Sequence, residues 1–274
     1  METHTIGKLV TFCNFIKGHD IEIPRIQRDY TYGSGTEKTE EVLGKLLSDI
    51  FDALTGGSEE LILDFVYGSR KYLGGNFEPL DGQQRLTTLF LLHLYASWGN
   101  SENMPKLRFD YSTRDSTAEF CQYITDSDKF KYDFNGSRVD EQIMDCAFWR
   151  ASFGDDPSVR SMLNVLVRIE DKFKDLCRSG ELASALVNNC NVKFYCLDFG
   201  PFGLSDDLYV KMNSRGKPMT AYEIFKSQIE KYIDVVLDEK ELKYEFGRKF
   251  DTEYTDLIWR EMGNDRCAID DAFV

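Results

Sequence analysis

The sequence predicts an α/β (α+β) protein: a small mixed sheet carrying a large helical insertion and a helical C-terminal segment. Three observations lead there. Short runs with strand character occur at Ile21–Ile23, 61–69, 75–80, 106–111 and 191–199. Runs of helical period stand between them, above all across 115–180. In one segment, Leu86, Leu89, Phe90, Leu92 and Leu94 cover nearly every face, as in a helix buried all round.

Taken in order, residues 1–18 place Ile6, Leu9, Val10, Phe12, Phe15 and Ile16 at helical spacing before Gly18, so a helix is expected. Ile21–Ile23 is a strand stopped by Pro24. The stretch IPRIQRDYTYG, 23–33, is proline-fixed and extended, with Gln27, Arg28, Asp29, Tyr30 and Tyr32 in close succession. Amide, guanidinium and aromatic groups there suit a planar or anionic ligand; equally, the tyrosines of a surface loop can pack on the core. Residues 37–54 form an amphipathic helix, and 61–69 and 75–80 form strands joined by a turn near 70–74.

The second strand delivers the chain to PLDGQQRLTTLFLL, 79–92. Four polar residues run there into the buried helix. Free N–H groups and the positive dipole end of such a helix attract an anion, most often phosphate. Gly82 lets backbone approach a ligand, Arg85 supplies a planar guanidinium, and Thr87 and Thr88 supply hydroxyls. Asp81 is placed to hold a metal ion or a water. On spacing alone the alternative stands beside this: Asp81 as an N-cap and Arg85 paired with a core carboxylate. Walker A and Rossmann glycine fingerprints are both absent.

Residues 106–111 are expected as a strand, then helices at 115–124, 140–153 and 157–177, with the block 112–188 read as an insertion. Asp126, Asp128 and Asp133 lack EF-hand spacing, so 125–138 is a solvated loop. Residues 191–199 return to the sheet. The segment 206–233 follows, with a short helix ending near Asn213 and a Thr220/Glu223 capping box opening a helix over 221–237. Between them Asn213, Ser214, Arg215 and Lys217 make either a connector or a second wall of the site. Residues 241–262 are helical again and the chain stops soon after. The expected division is 1–240 and 241–274, the latter the start of a truncated helical region.

Composition narrows the function. A net charge of −14 argues against broad nucleic-acid binding by this chain alone. Three histidines leave no room for histidine-rich metal chemistry or an HNH-type nuclease centre, and His93 sits in the apolar helix as a core residue. Seven scattered cysteines without a CxxC pair fit reduced thiols and a cytoplasmic location. No apolar run reaches transmembrane length, so no membrane partner is expected.

Three pieces stand in order: IPRIQRDYTYG, LDGQQRLTTL and MNSRGKPMTAYEIFK. Together they resemble the N-terminal domain of the GmrSD family of modification-dependent (type IV) restriction systems, a domain related to the ParB/sulfiredoxin fold. The resemblance spans roughly residues 6–259, and its specificity lies in these motifs. Tyr32 stands where the family often carries Trp. The resemblance implies that Asp81, Gly82, Gln83, Gln84 and Arg85 form an NTP-hydrolysis motif, with Gly82 and Arg85 matching the Gly-x-x-Arg that relatives place on phosphates. It assigns Pro24, Gln27, Arg28, Tyr30 and Tyr32 to sensing modified DNA. It also implies an HNH-type nuclease, in cis or in trans, outside this stretch.

The expected function is then an NTP-binding and hydrolysing sensor that gates cleavage of modified phage DNA. Asp81 would position Mg²⁺ or the attacking water, and Gln83 or Gln84 would orient it. Arg85, Thr87 and Thr88 would bind the nucleotide, with Asn213 and Arg215 closing the site. The nucleotide (GTP, UTP, CTP or ATP) is not distinguished. The alternative is a non-catalytic module that senses modified DNA or nucleotide.

Overall fold

The computed structural model describes residues 7–24, 29–56, 60–70, 75–102, 104–188 and 190–199, all within the unit Met1–Ser205. Six strands make one mixed sheet: β1 (Gly7–Val10), β2 (Ile21–Ile23), β3 (Leu61–Arg70), β4 (Phe77–Asp81), β5 (Phe109–Tyr111) and β6 (Val192–Asp198). Their order is β1-β6-β3-β4-β2-β5. β3 lies parallel to β6, and β2 parallel to both β4 and β5, while β1/β6 and β3/β4 are antiparallel. The α/β expectation holds, as a mixed sheet with eight helices among the described residues.

The N-terminal expectation is corrected. Residues 7–10 extend along β6, and the helix α1 is confined to Phe12–Lys17. The apolar spacing fits either reading, but Thr11 decides the switch: it is extended, and its hydroxyl accepts the Asn14 N–H as an N-cap. α2 (Glu37–Thr55) follows expectation, opened by a reciprocal Thr36/Thr39 capping box. Its buried Leu43, Leu47 and Ile50 recur at helical spacing.

α3 (Gln83–Gly99) is the central helix. Its residues Leu86, Phe90, Leu91 and Leu92 are 0% exposed, and it packs on α7 (Pro157–Arg178) and α8 (Glu181–Asn188). His93 is buried against Phe12, as expected of a core histidine. The insertion adds α4 (Asp115–Thr125), α5 (Val139–Met144) and α6 (Ala151–Asp155). Residues 140–153 are therefore two short helices and not one. Turns at Cys146 and Trp149 interrupt the run, and Phe148, Trp149 and Phe153 pack into an aromatic group with Phe120 and Tyr123. Ring packing with a neighbouring helix outweighs helix continuity there. No helix among the described residues is long and apolar enough to cross a membrane.

The expected boundary at 240, the helices over 206–213, 221–237 and 241–262, and the 70–74 turn beyond Arg70 lie outside the described residues.

Candidate functional site

β4 ends at Asp81 and α3 begins at Gln83, leaving one residue to turn the chain. That residue, Gly82, has φ +84°, a left-handed conformation costly for any side chain. Space forbids a side chain as well: a Cβ there would lie 2.8 Å from Val66 Cγ2 and 3.3 Å from the Phe65 carbonyl oxygen. Gly82 is itself the N-cap and no side chain caps α3. The alternative that casts Asp81 as the cap is thereby set aside.

Arg85 sits on the first turn of α3 with its side chain 20% exposed. Nη1 donates to Asp64 Oδ2 at 3.2 Å, Nη2 donates to the Phe65 carbonyl at 2.6 Å, and Asp81 Oδ2 lies 3.9 Å from Nη2. The partners are not core carboxylates: the Asp64 and Asp81 side chains are 68% and 57% exposed. A pair so open to water holds its partners by about 1 kcal/mol or less, so the guanidinium can exchange a carboxylate for another anion.

Asp64 is the residue that reading the sequence missed. It is the one non-glycine with positive φ (56°) among the described residues, at an irregularity where β3 slips its register against β6. Strain of this kind is held by its surroundings and clusters at functional positions. The available signal was a lone Asp interrupting the apolar run LILDFV.

The other motif residues divide sharply. Gln83 and Gln84 are each 4% exposed. Gln84 Oε1 accepts the Thr31 N–H at 2.8 Å and the Thr31 hydroxyl at 3.3 Å, and its Nε2 donates to the Asp29 carbonyl at 3.0 Å. Thr87 and Thr88 are fully buried. Thr87 Oγ1 meets the Tyr111 hydroxyl at 2.5 Å and Thr88 Oγ1 meets the Tyr30 hydroxyl at 2.8 Å, each also donating to a carbonyl one turn back. The two hydroxyls expected on a nucleotide thus face tyrosines in the interior instead of an accessible surface. Burial holds both phenols above their usual range, so they stay protonated.

The first motif is gripped from two sides. On one side stand Gln84 and Thr88. On the other, Asp29 is held by Arg114 through Nε (3.1 Å) and Nη2 (2.9 Å), and Ser158 Oγ accepts the Tyr30 N–H at 3.1 Å. Gly33 passes so close to α7 that a Cβ would lie 2.0 Å from the Ser161 carbonyl oxygen, and Asn164 donates to the Gly33 carbonyl at 2.8 Å. Arg114, Ser158, Ser161 and Asn164 all belong to the insertion, whose part in the site the sequence left unread. Tyr30 is fully buried with Tyr32 beside it, ring centroids 6.1 Å apart, while Pro24 is half-buried at the end of β2. Gln27, Arg28, Asn213 and Arg215 lie outside the described residues.

No group of three or more His, Cys, Asp or Glu is placed to hold a metal among the described residues. The carboxylates of Asp64 and Asp81 beside Arg85 have the oxygen-donor chemistry that Mg²⁺ takes, commonly one or two carboxylates with other oxygen ligands.

No individual curated protein matches the chain. The family described as "GmrSD restriction endonuclease, N-terminal domain" matches residues 9–230, a span that holds both motifs of the described site and the MNSRGKPMTAYEIFK segment. With most of its length covered by that match, the chain belongs to the GmrSD N-terminal domain family and is a component of a restriction system.

Proposed function

We propose that this domain binds and hydrolyses a nucleoside triphosphate and uses that step to gate cleavage of modified DNA by a nuclease domain. The observation carrying the reading is Arg85: a guanidinium at the rim of a glycine-started helix that no side chain caps, held by the Phe65 carbonyl and two exposed carboxylates. The likeness of Gly82–Arg85 to the phosphate-binding Gly-x-x-Arg of ParB and sulfiredoxin relatives supports it. An anion arriving at Arg85 meets the negative charge of Asp64 and Asp81. Asp64 and Asp81 would hold Mg²⁺, which would offset that repulsion and supply charge neutralisation for the phosphates. Asp81, together with Gln83, would orient the attacking water, while Arg85 stabilises charge on the phosphoryl oxygens.

A second reading is ligand binding without turnover. The engagement of both ends of the Gln84 amide with backbone favours it, because that leaves fewer polar groups for a reacting water. Calorimetric titration with each of GTP, UTP, CTP and ATP plus Mg²⁺, paired with phosphate-release kinetics, separates the two. Arg85→Ala is expected to lower kcat/KM about 100-fold, and Asp81→Ala to lower kcat and weaken the Mg²⁺ dependence. Unchanged turnover in both variants, with folding intact, rejects the catalytic reading; affinity without phosphate release selects the second.

A further inference from the structure

We infer that Gln84 is a positioning residue that ties the segment 29–31 to the first turn of α3, so that occupancy at Arg85 is felt in that segment. The geometry is that of a backbone surrogate. A primary amide side chain offers one acceptor and one donor in fixed relation, as a peptide group does. Here the acceptor takes the Thr31 N–H and the donor takes the Asp29 carbonyl. The two contacts lie either side of Tyr30, so the residue between them is clamped.

Gln84 and Arg85 are consecutive on one helical turn, with side chains about 100° apart around the axis. Arg85 is held at the rim by Asp64, Asp81 and the Phe65 carbonyl, while Gln84 reaches into the interior. An anion that draws Arg85 away from Asp64 therefore acts on the same turn that fixes 29–31. Tyr30 reinforces the tie one turn further along, through its hydroxyl on Thr88. The far side of the segment is anchored on Arg114 and on Ser158 of α7, and Gly33 just beyond it on Ser161 and Asn164. A shift of the α3 turn is thus met by a fixed wall, and the displacement concentrates in residues 29–31.

The inference rests on the nucleotide reading above, and its test keeps the two apart. Amide hydrogen exchange is followed on the full chain, free and with Mg²⁺ plus each of GTP, UTP, CTP and ATP, for the wild type, Gln84→Ala and Gln84→Glu. Gln84→Glu keeps the acceptor for Thr31 and removes the donor to Asp29, so it probes the clamp even where the alanine variant does not fold.

The Thr31 amide is expected to exchange about tenfold faster in Gln84→Ala. Nucleotide should slow exchange across 29–32 in the wild type and lose that effect in both variants, with KM for the nucleotide changed less than about threefold. A Thr31 amide indifferent to Gln84→Ala overturns the clamp. A fall in kcat alone, with the response of 29–32 intact, overturns positioning in favour of direct action on the reacting water. A wild type that binds nucleotide with no change at 29–32 overturns the coupling and leaves the nucleotide reading standing. A wild type that binds none overturns both, and the Thr31 comparison then still reports on the clamp by itself.

Discussion

Two buried polar side chains each fasten a loop to a helix in this protein, by opposite means. Gln84 is neutral and holds 29–31 through backbone groups on both sides of Tyr30. Glu170, 4% exposed on α7, is a carboxylate. It accepts the Tyr132 hydroxyl at 2.5 Å, the Val139 N–H at 2.8 Å and Lys174 Nζ at 3.0 Å, pinning the polar loop 126–138 over the insertion. A buried carboxylate stripped of its partners is very costly, whereas an amide exchanges partners at little net cost. The charged clamp therefore suits a part that must stay put, and the neutral clamp suits a part whose register must be able to change.

The largest effect that would test this contrast is at the charged clamp. Glu170→Ala is expected to lower stability by about 3–5 kcal/mol, read by denaturant titration, because Val139 N–H and the Tyr132 hydroxyl lose their acceptor. Burial pushes the Glu170 carboxyl up, but the hydrogen bonds from Tyr132, Val139 and Lys174 outweigh it and hold the group below its usual value. Its stabilisation is thus present above the ordinary glutamate range near 4.5 and is lost as pH falls through that range and below. Gln84→Ala has no titrating group to lose and should leave the acid limb of stability unchanged; an acid shift there would break the comparison.

His93 sharpens it by opening a separate pH window. Its Nδ1 meets the Leu89 carbonyl at 2.7 Å and its Nε2 is buried without a partner among the described residues. Burial pushes its pKa down from 6.5 to about 4. The unfolded chain therefore binds the proton more readily between those values, and stability falls as pH drops from 6.5 toward 4, by up to roughly 3 kcal/mol. His93→Leu should flatten this upper window in a pH-stability profile and leave the lower, Glu170-dependent one. A profile unchanged by His93→Leu would show that the ring binds its proton alike in the folded and unfolded chains.

The smallest expected effect is at the neutral clamp. Thr88→Val keeps shape but leaves the Tyr30 hydroxyl without its partner at 2.8 Å, for a loss of about 1–2 kcal/mol in melting or denaturant experiments. Loss comparable to Glu170→Ala would mean that the two clamps do not differ in kind.

Much of the fold was legible because hydrophobic period survives in the sequence. α2, β3, β4, α3, α7 and β6 fall where their apolar spacing puts them. The failures have local causes. At 7–17, apolar residues fit strand or helix, and pairing with β6 chose. At 140–153 helical period is present throughout, and aromatic packing broke it. For the site, DGQQR was visible as a polar cluster entering a buried helix, but the chemistry of each residue was not. Thr87, Thr88 and Gln84 look as available as Arg85 in one dimension, yet α3 turns them to the interior and Arg85 to the rim.

By itself the sequence determined the strand–glycine–helix turn at 81–83, since a left-handed φ of +84° favours glycine there. It also determined the apolar character of α3 beyond its first turn. Tertiary structure alone decided that Asp64 would face Arg85 from twenty-one residues away, and that an insertion would supply the wall behind Tyr30. The reason is that backbone conformation and burial period are properties of neighbours in the chain. Which carboxylate meets which guanidinium is settled only when sheet register and helix packing bring distant segments together.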